Sequence, residues 1–417
     1  MPRTVPVAAM VAALKPCESI YLPGSAGEPT AFLSALVARP ERSRGLRIVT
    51  SAVPGINTLP MDALDASAEV TGLFMQPGLR RAHRDGRFRT LPLSFSGFVE
   101  HVRDRIEVDT CVVQVAPPDA AGQCSLGAAV EFTALVAARA SRIFALINPA
   151  MPAIPGAVTL PMAGFDMVTE VGTDLPTYDV GVPTAEAVLI AEHIAGLVED
   201  GSALQAGLGK IPEALFGLLH DRRGLRLQSG MLGAGALGLA RAGALESGFG
   251  HASCVWIGSA ALYRELADTE GFAVLGCEIT HDVARLARED RFVAVNSALS
   301  VDLFGQANLE HAGGRVVSGV GGAPDFAQAA RLSRGGISIV ALPAAFGREP
   351  RSRIVPIIAD GVVSLPRQMV DVVITEYGVA DLRGRTVFER AERLIAIAYP
   401  GFRAGLETAW ADLKRQL

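Results

Sequence analysis

The chain has 417 residues, half of them hydrophobic and only 19% charged, with a formal net charge of −5. That length suits two domains with a core each, and the composition excludes a disordered protein. A weakly acidic balance with no clustered basic face excludes nucleic acid as a partner, because a phosphate backbone calls for such a face. The five cysteines (Cys17, Cys111, Cys124, Cys254 and Cys277) are scattered and lack metal-ligand spacing. They read as reduced core thiols of a cytoplasmic protein. Val5 to Leu14 is too short for a secretory segment and predicts a first helix. Gly, Pro or a charge interrupts each apolar run before it could span a membrane.

Residues 18–51 predict a strand, a Gly-rich turn, a helix and a second strand, a βαβ unit. Residues 61–98, rich in arginine and aromatics, break the alternation and predict an excursion with one short strand pair. VDTCVVQVAPPD predicts a buried parallel strand, AAVEFTALVAARA a helix, and SRIFALINPAMP the next strand, closing on Asn148. Pro and Gly recur from Ile154 to Thr177, which predicts a linker and hence two domains, 1–178 and 183–417. A helix over 183–201 opens the second half. The stretch Asp200 to Met231 then repeats the βαβ plan: strand Ala203–Ala206, turn at Gly207 and Gly209, helix opened by Ile211-Pro212, strand Leu225–Ser229. FVAVNSALSVDLFGQ predicts paired strands. RVVSGVGGAPDFAQAARLS predicts a strand, a glycine loop at Gly319–Gly322 and a helix capped by Asp325. Two more strands and a closing helix complete the chain.

The halves are copies of one α/β plan. Ser19 answers Ser202, Gly24 answers Gly207 and Pro29 answers Pro212. Asp119-Ala-Ala-Gly122-Gln123 and Asp302-Leu-Phe-Gly305-Gln306 share their internal spacing and are separated by the offset that separates the two prolines. Glycine turns let a backbone pass close to a ligand, and the amides of the helix that follows face its negative charge. Ligands of open α/β sheets lie outside the carboxyl ends of strands, so the seam between the halves is the expected site. The glycine loops lack the Lys-Ser/Thr ending of a phosphate loop and the spacing G-x-G-x-x-G, which argues against ATP and NAD. None of the seven histidines forms an H-x-x-x-H pair, so no metal is expected. Ser229 and Ser318 read as strand-end serines and Cys254 as core.

LQAGLGKIPEAL, NSALSVDLFGQ, SGVGGAPDFAQAARLSRGG, VDVVITEYGVADLRG and RLIAIAYPGFR, with PPDAAGQCSLG and NPAMP in the first half, resemble the acetyl-CoA hydrolase/transferase family. The resemblance implies two CoA-transferase-type α/β domains, an acyl-CoA substrate, no permanently bound cofactor and a homo-oligomer. It implies ping-pong transfer of CoA between carboxylic acids, in which a glutamate attacks the thioester and backbone amides hold the oxyanion. By the same resemblance the turn Gly207-Leu208-Gly209 approaches the acyl centre. Gly319, Val320, Gly321, Gly322, Asp325 and Phe326 contact CoA or its pantetheine arm, with Asn148 at the first-half strand end.

The chain departs from that family where the nucleophile belongs. The family pattern His-Ser-Glu-Met reads here Gln228-Ser229-Gly230-Met231, and the Ser-Asp that follows reads Gly233-Ala234. A His-Gly-Asp-Ser run of relatives is answered by Pro155-Gly156-Ala157-Val158. With Gly230 no glutamyl-CoA can form at that position. Three readings stand at this point. Another carboxylate replaces the glutamate, the candidates being Glu28, Glu246 and Glu278. The pocket hydrolyses, decarboxylates or cleaves an acyl-CoA without a protein nucleophile. The protein binds an acyl-CoA without catalysis.

Overall fold

Thr110–Val115 and Ala203–Ala206 are buried at every position, the mark of strands covered on both faces. The first lies in the middle of a parallel sheet, and the second lies beside the edge strand of another sheet that is parallel but for its last pair. The computed structural model describes residues 2–359 and 361–416. The chain divides into two compact units, Met1–Asp179 with Gly250–Thr280, and Val180–Phe249 with His281–Leu417.

The first unit holds an eight-stranded sheet of β1 (Arg3–Thr4), β2 (Ser19–Leu22), β3 (Arg47–Thr50), β4 (Glu69–Gly72), β5 (Phe88–Thr90), β6 (Thr110–Val115), β7 (Arg142–Ile147) and β8 (Met167–Glu170). Their spatial order is β1-β8-β7-β6-β2-β3-β4-β5, with every pair parallel. The chain runs outward from β2 to β5 on one side and from β6 to β8 on the other. The direction therefore switches between β2 and β6. Beneath this sheet Arg142 donates to Glu18, which is 5% exposed, and to Thr110 Oγ1 at 2.9 Å. Arg142→Leu strands that carboxylate and is expected to cost about 2 kcal/mol in urea unfolding, recovered largely by Glu18→Gln in the same chain.

The second unit holds a six-stranded sheet of β9 (Ala203–Ala206), β10 (Arg226–Leu227), β11 (Phe292–Ser297), β12 (Ile337–Ala341), β13 (Val372–Thr375) and β14 (Gly378–Asp381). The order is β10-β9-β11-β12-β13-β14, parallel except for the last pair. Its switch point lies between β9 and β11.

Four expectations are corrected. Residues 61–98 are no excursion, because β4 and β5 continue the main sheet in parallel; Arg80, Arg81 and Arg84 fall on the helix Arg80–Arg84 and Arg89 on β5 itself. Ile154–Thr177 is no plain linker, because β8 hydrogen-bonds beside β7. The strands in 292–306 do not pair with each other: β11 joins the sheet, whereas Ser300–Asp302 pairs with Ala307–Asn308 and Ile354–Val355. The second unit is not the single span 183–417, because Gly250–Thr280 packs with the first. Trp256 N donates to Ala128 O and Cys277 N to Glu131 O.

Candidate active site

At the carboxyl ends of β9, β11 and β12 a cavity of about 410 Å³ opens in the second unit. Ile211 bounds it from the first turn of the helix Lys210–Leu218, Ser297 from the end of β11, Ala341 from the end of β12, and Val317-Ser318 from the residues before the glycine loop. The helix start is set by Gly209, whose φ of +130° only glycine adopts easily. A second cavity of about 310 Å³ shares Leu299 and Arg353 with the first. Arg353 Nη1 donates to the carbonyls of Ala298 and Leu299 at 3.3 and 3.4 Å, and its guanidinium lies 5.1 Å over the Phe346 ring. Burial lowers its pKa, opposed by the charge of Glu376, and its buried Nε has no acceptor among the described residues. It is a cation facing two cavities with donor capacity to spare.

The glycine loop runs from this cavity to a buried histidine. His281 is 1% exposed, and its ring centroid lies 4.7 Å from that of Phe326. A Cβ on Gly230 would stand 3.2 Å from His281 Nε2 and 3.5 Å from Phe326 Cε2. A Cβ on Gly322 would strike the same nitrogen outright. The imidazole thus occupies the space into which a side chain at either position would grow. Burial pushes its pKa down to about 3, so it is neutral near pH 7. Beside it, Ser229 Oγ donates to Ala206 O at 2.7 Å, while Gln228 Oε1 accepts from Arg285 at 2.9 Å. Gln228 Nε2 is buried without an acceptor among the described residues.

The switch point of the first unit is polar throughout. Glu28, 8% exposed, follows the turn after β2 and is hydrogen-bonded by Asn57. Burial pushes its carboxyl up to about 7, with the Asn57 bond opposing. Gln114 Nε2 donates to Glu28 O at 3.1 Å, Asn148 Nδ2 to Gln114 Oε1 at 3.1 Å and to Thr173 O at 2.7 Å. On the other flank Glu131 accepts from the hydroxyls of Ser25 and Ser51 and is fully buried, which raises its pKa against those bonds. Gly24 is required here, since a Cβ on it would run into the carbonyl of Ser51.

Of the residues singled out in the sequence, Gly230, Gly322 and Phe326 meet around His281. Gly207, Leu208 and Gly209 form the turn before the helix that bounds the larger cavity, and Gly319, Val320 and Gly321 follow Ser318 on its wall. Asp325 is not the helix cap: the helix spans Ala323–Leu332 with Gly322 at its N-cap, so Asp325 sits inside the first turn. Glu246 is half-exposed and ion-pairs with Arg226 at 3.7 Å. Asn148 is fully buried in the amide ladder of the first unit. His281, Arg353 and Asn57 escaped notice, because each acts through chain neighbours remote in sequence. Ser318, read as a strand-end serine, follows the strand Arg315–Val316 and also lines the cavity.

The N-terminal domain of acetyl-CoA hydrolase/transferase matches residues 7–173, and the C-terminal domain matches residues 258–410. The chain is 32% identical over 390 residues to the 4-hydroxybutyrate coenzyme A transferase of Clostridium kluyveri, covering 91% of this chain and 90% of that one. It is 30% identical to the succinyl-CoA:cyclohexane-1-carboxylate CoA transferase of Geobacter metallireducens, over 97% and 94% of the two chains. The crystal structure of RipA from Yersinia pestis superposes with a TM-score of 0.91 at 27% identity, over 99% of this chain and 98% of that one.

Proposed function

Because the chain belongs to the acetyl-CoA hydrolase/transferase family, we propose that it turns over acyl-CoA thioesters without a glutamyl-CoA intermediate on any of its carboxylates. The observation that carries this reading is the packing of His281 against Gly230, the position to which the sequence resemblance assigns the nucleophile: a Cβ there would stand 3.2 Å from the imidazole. CoA transfer to a carboxylic acid and hydrolysis are the nominal reactions. The amides of Gly207–Gly209 and Gly319–Gly322 serve the oxyanion and the pantetheine arm, and Arg353 offers charge to an anionic group of the substrate. The second unit's cavity walls at Ile211, Leu299, Leu342 and Pro343 favour an acyl group larger than acetyl over a small free acid as acceptor. Relatives named for 4-hydroxybutyrate and cyclohexane-1-carboxylate supply the first acyl groups to try.

The same reading makes the protein a cytoplasmic homo-oligomer. Five cysteines outside any disulfide support the compartment, and exposed Phe346, Ile357 and Phe388 support association. No helix among the described residues is long and apolar enough to cross a membrane.

The test is mass spectrometry of the protein with a panel of acyl-CoAs, with and without free acids, following small molecules and intact protein mass. Free CoA and acid with no protein adduct is the expected result. Loss of carbon dioxide or a cleaved acyl chain without an adduct keeps the nucleophile-free site but changes the reaction. A CoA adduct that maps to any carboxylate removes the reading.

A further inference from the structure

Arg353 is a cation without a counter-charge. Its guanidinium stands in the wall shared by the two cavities of the second unit, stacked on Phe346 and tied through Nη1 to the carbonyls of Ala298 and Leu299. Among the described residues no carboxylate pairs with it. Glu376 acts on it only as a charge, and Glu376 Oε2 accepts from Ala344 N at 2.8 Å. A guanidinium drawn partly out of water and left without an anion is unfavourable, and an oxyanion beside it offsets the loss.

The smaller cavity, about 310 Å³, can hold such a partner. Two short hairpins border it. His311–Ala312 pairs with Arg315–Val316 through Gly313 and Gly314, both at positive φ, and Ala345–Phe346 pairs with Arg351–Ser352. Asn308 fixes the first hairpin against Ser300: its Oδ1 accepts from His311 N at 2.9 Å, while Nδ2 donates to His311 O at 2.8 Å and to Ser300 Oγ at 3.2 Å. Leu299, Phe346, Val355 and Ile357 make much of the wall apolar. Phe346 and Ile357 are also half-exposed, which puts the mouth of this cavity at the surface. One guanidinium among apolar walls matches a single carboxylate on an apolar body, by the two-pronged pairing that arginine makes with carboxylates.

We propose that the smaller cavity is a separate site for a free carboxylic acid with an apolar body, filled while an acyl-CoA occupies the larger one. This rests on the proposed function for the occupant of the larger cavity. A protein carboxylate that stores CoA lets one acid leave before the next one enters, so a single site serves both. Without such a store, CoA passes to an acid only while both are bound. An oxygen of the acid's carboxylate bonds to the thioester carbonyl carbon and the C–S bond breaks. The thiolate then attacks the other carbonyl of the resulting anhydride, forming the new thioester as the first acid leaves as its carboxylate. Arg353, common to both cavities, holds the incoming carboxylate at their junction.

Titration calorimetry decides it, with cyclohexane-1-carboxylate as the probe and its neutral amide, inorganic phosphate and adenosine bisphosphate beside it. The acid is expected to bind the wild type, and to bind nearly as well when hexyl-CoA, a thioether that cannot react, is already saturating. Arg353→Gln is expected to weaken the acid about 30-fold. Because Arg353 also ties two carbonyls, a second pair of variants keeps the test clear of misfolding. Ile357→Glu sets a negative charge at the half-exposed mouth and should weaken the acid about fivefold, whereas Ile357→Gln should leave it unchanged. Acid displaced by the thioether means one site used in turn, which overturns the proposal while the thioester reading stands. The amide binding as tightly as the acid overturns it, and so does a phosphate compound that binds in the acid's place and is lost with Arg353→Gln. Acid that binds beside the thioether, on a protein that turns over no thioester of the panel, upholds the carboxylate site and removes the thioester reading alone.

Discussion

Gly230→Glu is expected to destabilise the protein by about 3 kcal/mol in chemical unfolding and to leave no CoA on the polypeptide. The first added carbon meets His281 Nε2 at 3.2 Å, tight but tolerable, so Gly230→Ala should cost only about 1 kcal/mol. The remaining four heavy atoms of a glutamate have to displace an imidazole packed on Phe326, and they end in a charge within a buried pocket. Combining Gly230→Glu with His281→Ala vacates the ring, and more than half of the lost stability should return. The double variant is also the one in which a transient CoA adduct on residue 230 is expected in the intact mass. Gly230→Glu alone as stable as wild type would mean that His281 does not guard this position.

Acidification should expose two buried groups that pull in opposite directions. The His281 imidazole is pushed down to about 3 from an ordinary 6.5. Between those values the unfolded chain binds the extra proton, so stability present above pH 6.5 is lost as pH falls through 3, by up to about 5 kcal/mol. Glu28 is pushed up to about 7 from 4.5. There the folded chain binds the extra proton, so its contribution is full below pH 4.5 and is lost as pH rises through 7, by up to about 3 kcal/mol. The two nearly cancel between pH 6.5 and 4.5, and below 4.5 the histidine acts unopposed. Wild-type stability should therefore hold roughly level to pH 4.5 and then fall steeply. His281→Asn should remove the fall, and Glu28→Gln should bring its onset up to pH 6.5. Parallel curves for all three proteins would contradict the assigned environments.

The repeat was legible in the sequence because it rests on local signals. Paired prolines after glycine turns and mainly apolar strand runs mark β2 and β9 with their helices, and the long motifs carried the family. What failed was whatever depends on partners remote in the chain. β4 and β5 are four and three residues long, and only hydrogen bonds to a neighbouring strand reveal them. Asp325 looked like a cap because Pro324 suggested a helix start, whereas the helix begins at Ala323 before the proline. At the candidate site the glycine at 230 could be read, but its meaning could not. His281, fifty-one positions on, is what makes a side chain at 230 costly. No spacing rule links the two.

The return of Gly250–Thr280 to the first unit also bears on how the chain is made. A ribosome delivers residues in order, and a first unit closed by residue 179 could finish folding while the rest was still being synthesised. Here the segment that supplies Trp256 and Cys277 emerges only after the strand–turn–helix of the second unit has already left the tunnel. The N-terminal part must wait, incomplete, beside a competing copy of its own plan. The first unit can close only once residue 280 has been made, when four of the six strands of the second sheet are still to come.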